Sequence, residues 1–395
     1  MEPLSPVPAI AALLAAIATC ELIARRGGAP TSTGRFATID GLRGYLAFFV
    51  FLHHSSVWFQ YLRTHHWRVP ASALYTQFGQ SSVALFFMIT GFLFFSKLID
   101  GRRGGIDWGK LFVSRVLRLV PLYLVSMALL FLIVAVLSGW SLHVPGRTLA
   151  KGMARWLCFT IPDAPNLNAI NDTFTIIAGV TWSLPYEWLF YLSLPLLALT
   201  TRALPPIRYL GLSVVGGGLL LAVWRPTGYQ LMPFAGGMLA AVLVRSEAFR
   251  AFCERRVAVL LVIASIAAAI ALPSVVPASA NLFLLSAAFA LIAGGCSLFG
   301  ALLSPASRVF GEMAYSIYLL HGILLFAMFT FVIGRENASQ LSPEAHWAWV
   351  IGASPLLVLV SGLSYRFIER PAMRRTTQAT AWLRTHMNPR IPQEV

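Results

Sequence analysis

The sequence predicts an all-α fold, a polytopic integral membrane helix bundle of about 10–11 transmembrane helices, on three observations. Of 395 residues, 57% are hydrophobic and only 11% charged, and the mean hydropathy is +0.73. That is more apolar surface than one soluble core can hide. A window of about 19 residues finds eleven apolar spans, near 6–24, 41–62, 80–98, 112–138, 184–200, 207–224, 228–245, 257–272, 280–302, 312–333 and 346–368. The basic residues then alternate between the joining segments. With the N-terminus outside, the inside segments hold 22 Lys and Arg and the outside segments 7, the bias that orients membrane proteins.

Taken in order, the span 6–24 lacks a basic n-region, its only early charge being Glu2, so it reads as a first helix that stays and not as a signal peptide. The next three spans follow closely. The long external segment 139–183 carries Trp140, Trp156 and Trp182 and is expected along the membrane surface. Several later spans have only 16 to 18 residues, near the lower limit for a hydrocarbon core of about 30 Å. The expected organisation is an extra N-terminal helix and cytoplasmic linker (1–34), a membrane domain (35–371) and a polar, mobile cytoplasmic tail (372–395).

The formal charge of +15 does not point to nucleic acid. The 27 Arg and 3 Lys are scattered through short inter-helical segments, without a basic domain or interleaved aromatics. Cys20, Cys158, Cys253 and Cys296 are isolated, and no metal-ligand or CxxC spacing occurs. No Walker A pattern is present.

The chemistry is expected where ionisable residues enter apolar spans, because such groups in lipid cost several kcal/mol and must face the bundle interior. In DGLRGYLAFFVFLHH, Arg43 and His54 are eleven residues apart. On an α-helix this is about 1100°, so they share a face with a rise of about 16 Å, while His53 points roughly 100° away. A structural histidine bonded to a neighbouring helix is the plain alternative for His54. WSLPYEWLFYLSLP puts Glu187 at the start of the fifth span, and GEMAYSIYLLHGILL puts His321 about ten residues into the tenth. Together they suggest a polar cavity in which a carboxylate and an imidazole share proton transfer. Arg115 and Arg118 in SRVLRLVPLYL share one helical turn and suit a phosphate, although each alone fits the ordinary basic belt. Phe86, Phe87, Phe92, Phe94 and Phe95 either face lipid or line an acyl tunnel.

With RFATIDGLRGYLAFFVFLHH, SSVALFFMITGFLFF, SRVLRLVPLYL, TWSLPYEWLFYLSLP, GEMAYSIYLLHGILL and SYRFIERP in this order, the chain resembles the acyltransferase-3 family of membrane O-acyltransferases from about Arg35 to Arg374. The resemblance implies that His54 is the essential histidine and that Arg43, Arg115 and Arg118 serve acyl-CoA. It places Trp182, Ser183 and Glu187 in the family's WSL segment. Thr90 stands where a Ser is usual, and Pro185 where a small residue is more common. Relatives often carry a C-terminal SGNH-type domain, for which this sequence has no room.

The resemblance thus implies transfer of an acyl group, by precedent acetyl, from cytoplasmic acyl-CoA to a hydroxyl of a carbohydrate acceptor. The acceptor would be a surface polysaccharide, such as lipopolysaccharide, or a lipid-linked glycan at the bacterial inner membrane. His54 and Glu187 are the catalytic candidates, Trp182, Ser183 and His321 the substrate-binding ones, with no metal and no nucleic acid among the partners. A transporter or flippase with the same buried charges is the alternative, against which stands the lack of correspondence between the chain's halves.

Overall fold

The computed structural model describes residues 5–28, 36–272 and 278–387; the expectations for Arg35, the linker around it and the last residues of the tail, including Arg390, lie outside them. The helices are α1 (Pro6–Gly27), α2 (Ala37–Thr64), α3 (Ala73–Gly104), α4 (Trp108–Leu137), α5 (Gly146–Leu157), α6 (Leu184–Thr200), α7 (Ile207–Val223), α8 (Gly228–Leu243) and α9 (Glu247–Cys253). They continue with α10 (Arg256–Ala271), α11 (Ala278–Ala293), α12 (Pro305–Glu312), α13 (Ala314–Ala327), α14 (Arg335–Ser339), α15 (Pro343–Ser364), α16 (Arg370–Arg374) and α17 (Thr376–Met387). No strand occurs among the described residues. The protein is an all-α, multi-pass membrane helix bundle.

All eleven apolar spans contain a helix, but the ninth ends early, α11 stopping at Ala293, short of the expected 302. Five runs, Pro6–Gly27, Ala73–Arg102, Trp108–Leu137, Ala314–Val332 and Pro343–His386, are long and apolar enough to cross a membrane, whereas α8 and α9 form a run bent by 108°. Serines and an aspartate start several helices, where a side-chain oxygen satisfies an N–H that the helix leaves unpaired: Ser72 accepts from Tyr75 N, Asp107 from Lys110 N, Ser342 from Ala345 N.

Bonds between helix termini define two ends of the bundle. At the N-terminal end, Tyr75 Oη donates to Ser5 O at 2.9 Å, Arg63 donates to Leu341 O, and Asn281 Nδ2 donates to Ala269 O. At the C-terminal end, Arg245 pairs with Asp100 at 2.8 Å, Thr38 Oγ1 donates to Ile292 O at 2.8 Å, and Tyr209 stacks on Phe112. Successive spans therefore run in alternating directions, and α1 begins at the end opposite α17.

Small residues allow close crossings, as expected where lipid supplies no hydrophobic drive between helices. At the α3–α8 crossing a Cβ on Gly91 would strike Phe234 backbone and one on Gly237 would strike Met88 backbone. Below the termini the core is heavily aromatic, with Trp58, Trp156, Trp347, Tyr75 and Tyr123 among the largest fully buried side chains.

Two expectations are corrected. Segment 139–183 does not simply lie on the surface. α5 exposes Arg147, Lys151 and Arg155 but turns Gly152 and Trp156 inward; Trp156 is fully buried, its Nε1 donating to Pro165 O at 2.9 Å. The following turns pack onto α2, where Tyr61 Oη donates to Asp172 Oδ2 at 3.2 Å. The tail, expected to be mobile, is helical to Met387 and docks on the start of α4. Arg384 pairs with Asp107 at 2.7 Å and Thr380 is buried. Its polar sequence hid the docking because one ion pair and one narrow buried face suffice.

Candidate active site

α2, α3, α4, α6 and α13 enclose a cavity of about 210 Å³. Arg43 enters it from α2 and Arg115 and Arg118 from α4, with Thr90 from α3 and Ser183 and Glu187 from the start of α6. Pro185 occupies the first turn of α6, where its missing N–H costs nothing. This fixes the helix start and leaves Glu187 in the first turn, which favours a carboxylate. Phe86, Phe87 and Phe94 form apolar wall; Phe92 instead packs between Phe36 and Phe289. The lipid-facing alternative thus fails for these four.

Three guanidiniums meet here without a direct ion pair among the described residues, although Asp40, Glu187 and Glu369 stand close enough for their charges to act on them. Glu187 accepts from Tyr191 Oη at 2.9 Å. Arg115 lies 5.0 Å from the Phe94 ring centre, and Arg118 Nη1 reaches only Met373 Sδ, at 3.6 Å. Beside them Glu369, from the π turn Tyr365–Glu369, is buried, accepts from Ser316 Oγ and leaves Oε2 without a hydrogen bond. Tyr315 Oη donates to Leu119 O at 2.9 Å and ties α13 to α4 beside Arg118. Such a cluster favours an anion carrying several acceptor oxygens.

The histidines lie beyond this cavity, toward the N-terminal end. His54 Nδ1 is 2.9 Å from His321 Nε2 and 3.1 Å from Val50 O, and His321 Nδ1 is 3.1 Å from Ile317 O. Carbonyls only accept, which fixes the protons. His321 carries its proton on Nδ1, so its Nε2 accepts from the Nδ1–H of His54. His54 Nε2 is then a lone pair, without a hydrogen bond yet with accessible surface. Trp67 stacks on His54 with ring centres 6.0 Å apart and meets Phe174 edge-on, so the loop after α2 and the turns before α6 cover this side.

Arg43 and His54 share a helix, but only Arg43 lines the cavity. Between cavity and histidine pair stands Tyr318. Its hydroxyl is 2.8 Å from Ser183 Oγ and donates to Val180 O at 3.0 Å, and its ring centre is 6.3 Å from that of His321. Ser183 therefore lies at the partition, whereas Trp182 is 42% exposed and packs on Phe87 and Tyr186 outside the cavity. Glu187 joins the arginines and not His54; His321 takes the place at the imidazole that sequence reasoning offered to Glu187. His53 is a tie between helices, its Nδ1 at 2.8 Å from Tyr75 O. Sequence reasoning missed Tyr191, Tyr318, Glu369 and Trp67. The four-residue spacing from Glu187 made Tyr191 findable; the other three depend on how helices cross. Among the described residues no three His, Cys, Asp or Glu side chains gather as metal ligands.

A multi-pass helix bundle that holds a basic cavity and, beyond it, two hydrogen-bonded histidines defines a class of membrane protein with buried ionisable groups. The acyltransferase domain model matches residues 36–366, and the chain belongs to the acyltransferase-3 family; it is a membrane acyltransferase. It is 24% identical over 384 residues, spanning 87% of this chain and 93% of the relative, to the acyltransferase MdmB of Streptomyces mycarofaciens. No solved structure matches the chain.

Proposed function

We propose that the protein is an O-acyltransferase that takes an acyl group, acetyl by family precedent, from cytoplasmic acyl-CoA and passes it to a glycan hydroxyl across the bacterial inner membrane. The C-terminal end of the bundle, richer in Lys and Arg, faces the cytoplasm, so the N-terminus is outside and α17 inside. Acyl-CoA phosphates engage Arg43, Arg115 and Arg118, with Glu187 balancing part of their charge. Phe86, Phe87 and Phe94 flank the pantetheine arm, and the thioester reaches His54 past the Ser183–Tyr318 pair.

The observation that carries this reading is the His54–His321 hydrogen bond, which leaves Nε2 of His54 as the proton acceptor. His54 takes the acceptor hydroxyl's proton as its oxygen attacks the thioester carbon. The C–O bond forms, the C–S bond breaks, and the imidazolium returns the proton to the departing CoA sulfur. His321, neutral and fixed by Ile317 O, supports the positive charge through Nδ1–H of His54. A carbohydrate acceptor enters from the side covered by Trp67 and segment 139–183. The acceptor is a surface polysaccharide, lipopolysaccharide included, or its lipid-linked precursor.

Purified protein incubated with radiolabelled acetyl-CoA, with wild type beside His54→Ala, tests the donor and the base. His54-dependent CoA release in the presence of a hydroxyl acceptor supports the reading; His54-dependent label on the protein without acceptor would keep the donor but make His54 a transient acyl carrier in place of a base. Equal CoA release by His54→Ala, or absence of CoA binding altogether, overturns it.

A further inference from the structure

Arg366, Arg370, Arg374 and Arg375 line a groove at the C-terminal end, together with Phe367, Pro371 and Gln378. It lies outside the acyl-donor cavity, and its arginines are exposed. Two other arginines at this end are held in ion pairs, Arg245 by Asp100 and Arg384 by Asp107. These four make no hydrogen bond or ion pair among the described residues. Arg366 lies over the Phe367 ring at 5.7 Å. Arg370 feels the charge of Glu312, whose carboxylate is engaged by Tyr365.

A basic belt explains why arginines sit at this end, and a helix C-terminus favours cations. Neither explains why four guanidiniums, only Arg370 among them near a carboxylate, converge on one groove, since like charges four residues apart repel. The groove also continues into an apolar strip. Phe367, Leu363, Val360 and Leu356 are 68%, 57%, 39% and 49% exposed, and their 4, 3, 4 spacing puts them on one face of the α15 run. Below a cluster of arginines at the membrane boundary, this is the outline of a phospholipid, with its phosphate among the guanidiniums and its chain along α15.

We propose that this groove is a binding site for an anionic phospholipid headgroup, held by Arg366, Arg370, Arg374 and Arg375 with one acyl chain on Leu356, Val360, Leu363 and Phe367. A basic cluster immediately beyond a membrane span is the form such sites take. The lipid would clamp the π turn Tyr365–Glu369 that carries Glu369 to Arg118, which makes it a natural support for the C-terminal wall of the cavity.

Native mass spectrometry of the full chain in detergent, titrated with palmitoyl-oleoyl phosphatidylglycerol or phosphatidylcholine, tests this. Each arginine near an anionic headgroup is worth roughly fivefold in affinity. The wild type is expected to prefer phosphatidylglycerol, and the quadruple Arg→Gln variant to lose that preference by more than about tenfold with phosphatidylcholine adducts unchanged. Should the quadruple variant fail to fold, the single variants Arg370→Gln and Arg374→Gln are each expected to lower it about fivefold. Equal adducts for both lipids, or an unchanged preference in the variants, overturns the proposal. So does displacement of phosphatidylglycerol by soluble CoA, which would assign the groove to the donor's phosphates.

Discussion

Removing the imidazole of His321 separates a positioning role from a merely structural one. In the structure His321 accepts from His54 Nδ1 at 2.9 Å, and Val50 O offers a second, longer acceptor at 3.1 Å. His321→Ala therefore weakens the tautomer of His54 without abolishing it. Losing a hydrogen bond to a buried partner costs about 1–3 kcal/mol, which predicts a fall in kcat of roughly ten- to a hundredfold. His54→Ala, which removes the base itself, should cost roughly 10²- to 10⁴-fold. The KM for acetyl-CoA should stay near wild type in both, because Arg43, Arg115 and Arg118 are untouched. His321 is fully buried, so truncation also opens a void, and thermal unfolding must be followed beside the kinetics. His321→Gln keeps an acceptor oxygen at similar reach and should recover part of kcat where His321→Ala does not. Wild-type kcat in His321→Ala would refute the reasoning, and so would a loss expressed wholly in KM or in unfolding with no rescue by Gln.

Arg115→Ala and Arg118→Ala should each weaken CoA binding by roughly ten- to a hundredfold, the worth of a charge-assisted bond to phosphate; calorimetry showing unchanged affinity would return both to the basic belt. Gly79→Ala should lower thermal stability by about 1–3 kcal/mol, because its Cβ would lie 2.7 Å from His53 Cγ and push the ring off Tyr75 O; an unaltered melting temperature would contradict that packing. Asp107 lies outside the apolar spans. Burial pushes its carboxyl up, but the Lys110 N–H and the Arg384 guanidinium outweigh this and hold it below its ordinary 3.8. The docking of α17 should therefore be complete above about pH 4 and fade as the pH falls through the lowered value. Hydrogen exchange of residues 376–387 reads this directly, and equal protection in wild type and Asp107→Asn across that range would show that the carboxylate does not hold the helix.

Hydropathy located every span because a helix in lipid must be apolar along its length, and a property repeated over some twenty residues survives local irregularity. It failed at the margins. Residues 376–387 look polar by average, yet Thr380 and the Asp107–Arg384 pair fasten them. Trp156 looked like an interfacial anchor, yet Pro165 O and the α5 fold draw it inside. In both cases a single contact outside the local sequence decides the outcome, and averages do not register single contacts.

For the site, helical periodicity puts Arg43 and His54 on one element with a long rise between them, as the structure does, and taken alone it points to a single cavity. The structure shows why the two lie apart. A rise of about 16 Å is long enough for a crossing helix to intervene, and α13 does so with Tyr318, hydrogen-bonded to Ser183 and packed beside His321. The same crossing that closes the cavity delivers His321 to His54, because Tyr318 and His321 are three residues apart and so project from neighbouring positions on one face. Partition and imidazole support are thus one consequence of where α13 passes α2. A substitution that shifted α13 would disturb both together, whereas Tyr318→Phe, which removes the hydroxyl and keeps the ring, alters the partition alone and leaves the His54–His321 bond in place.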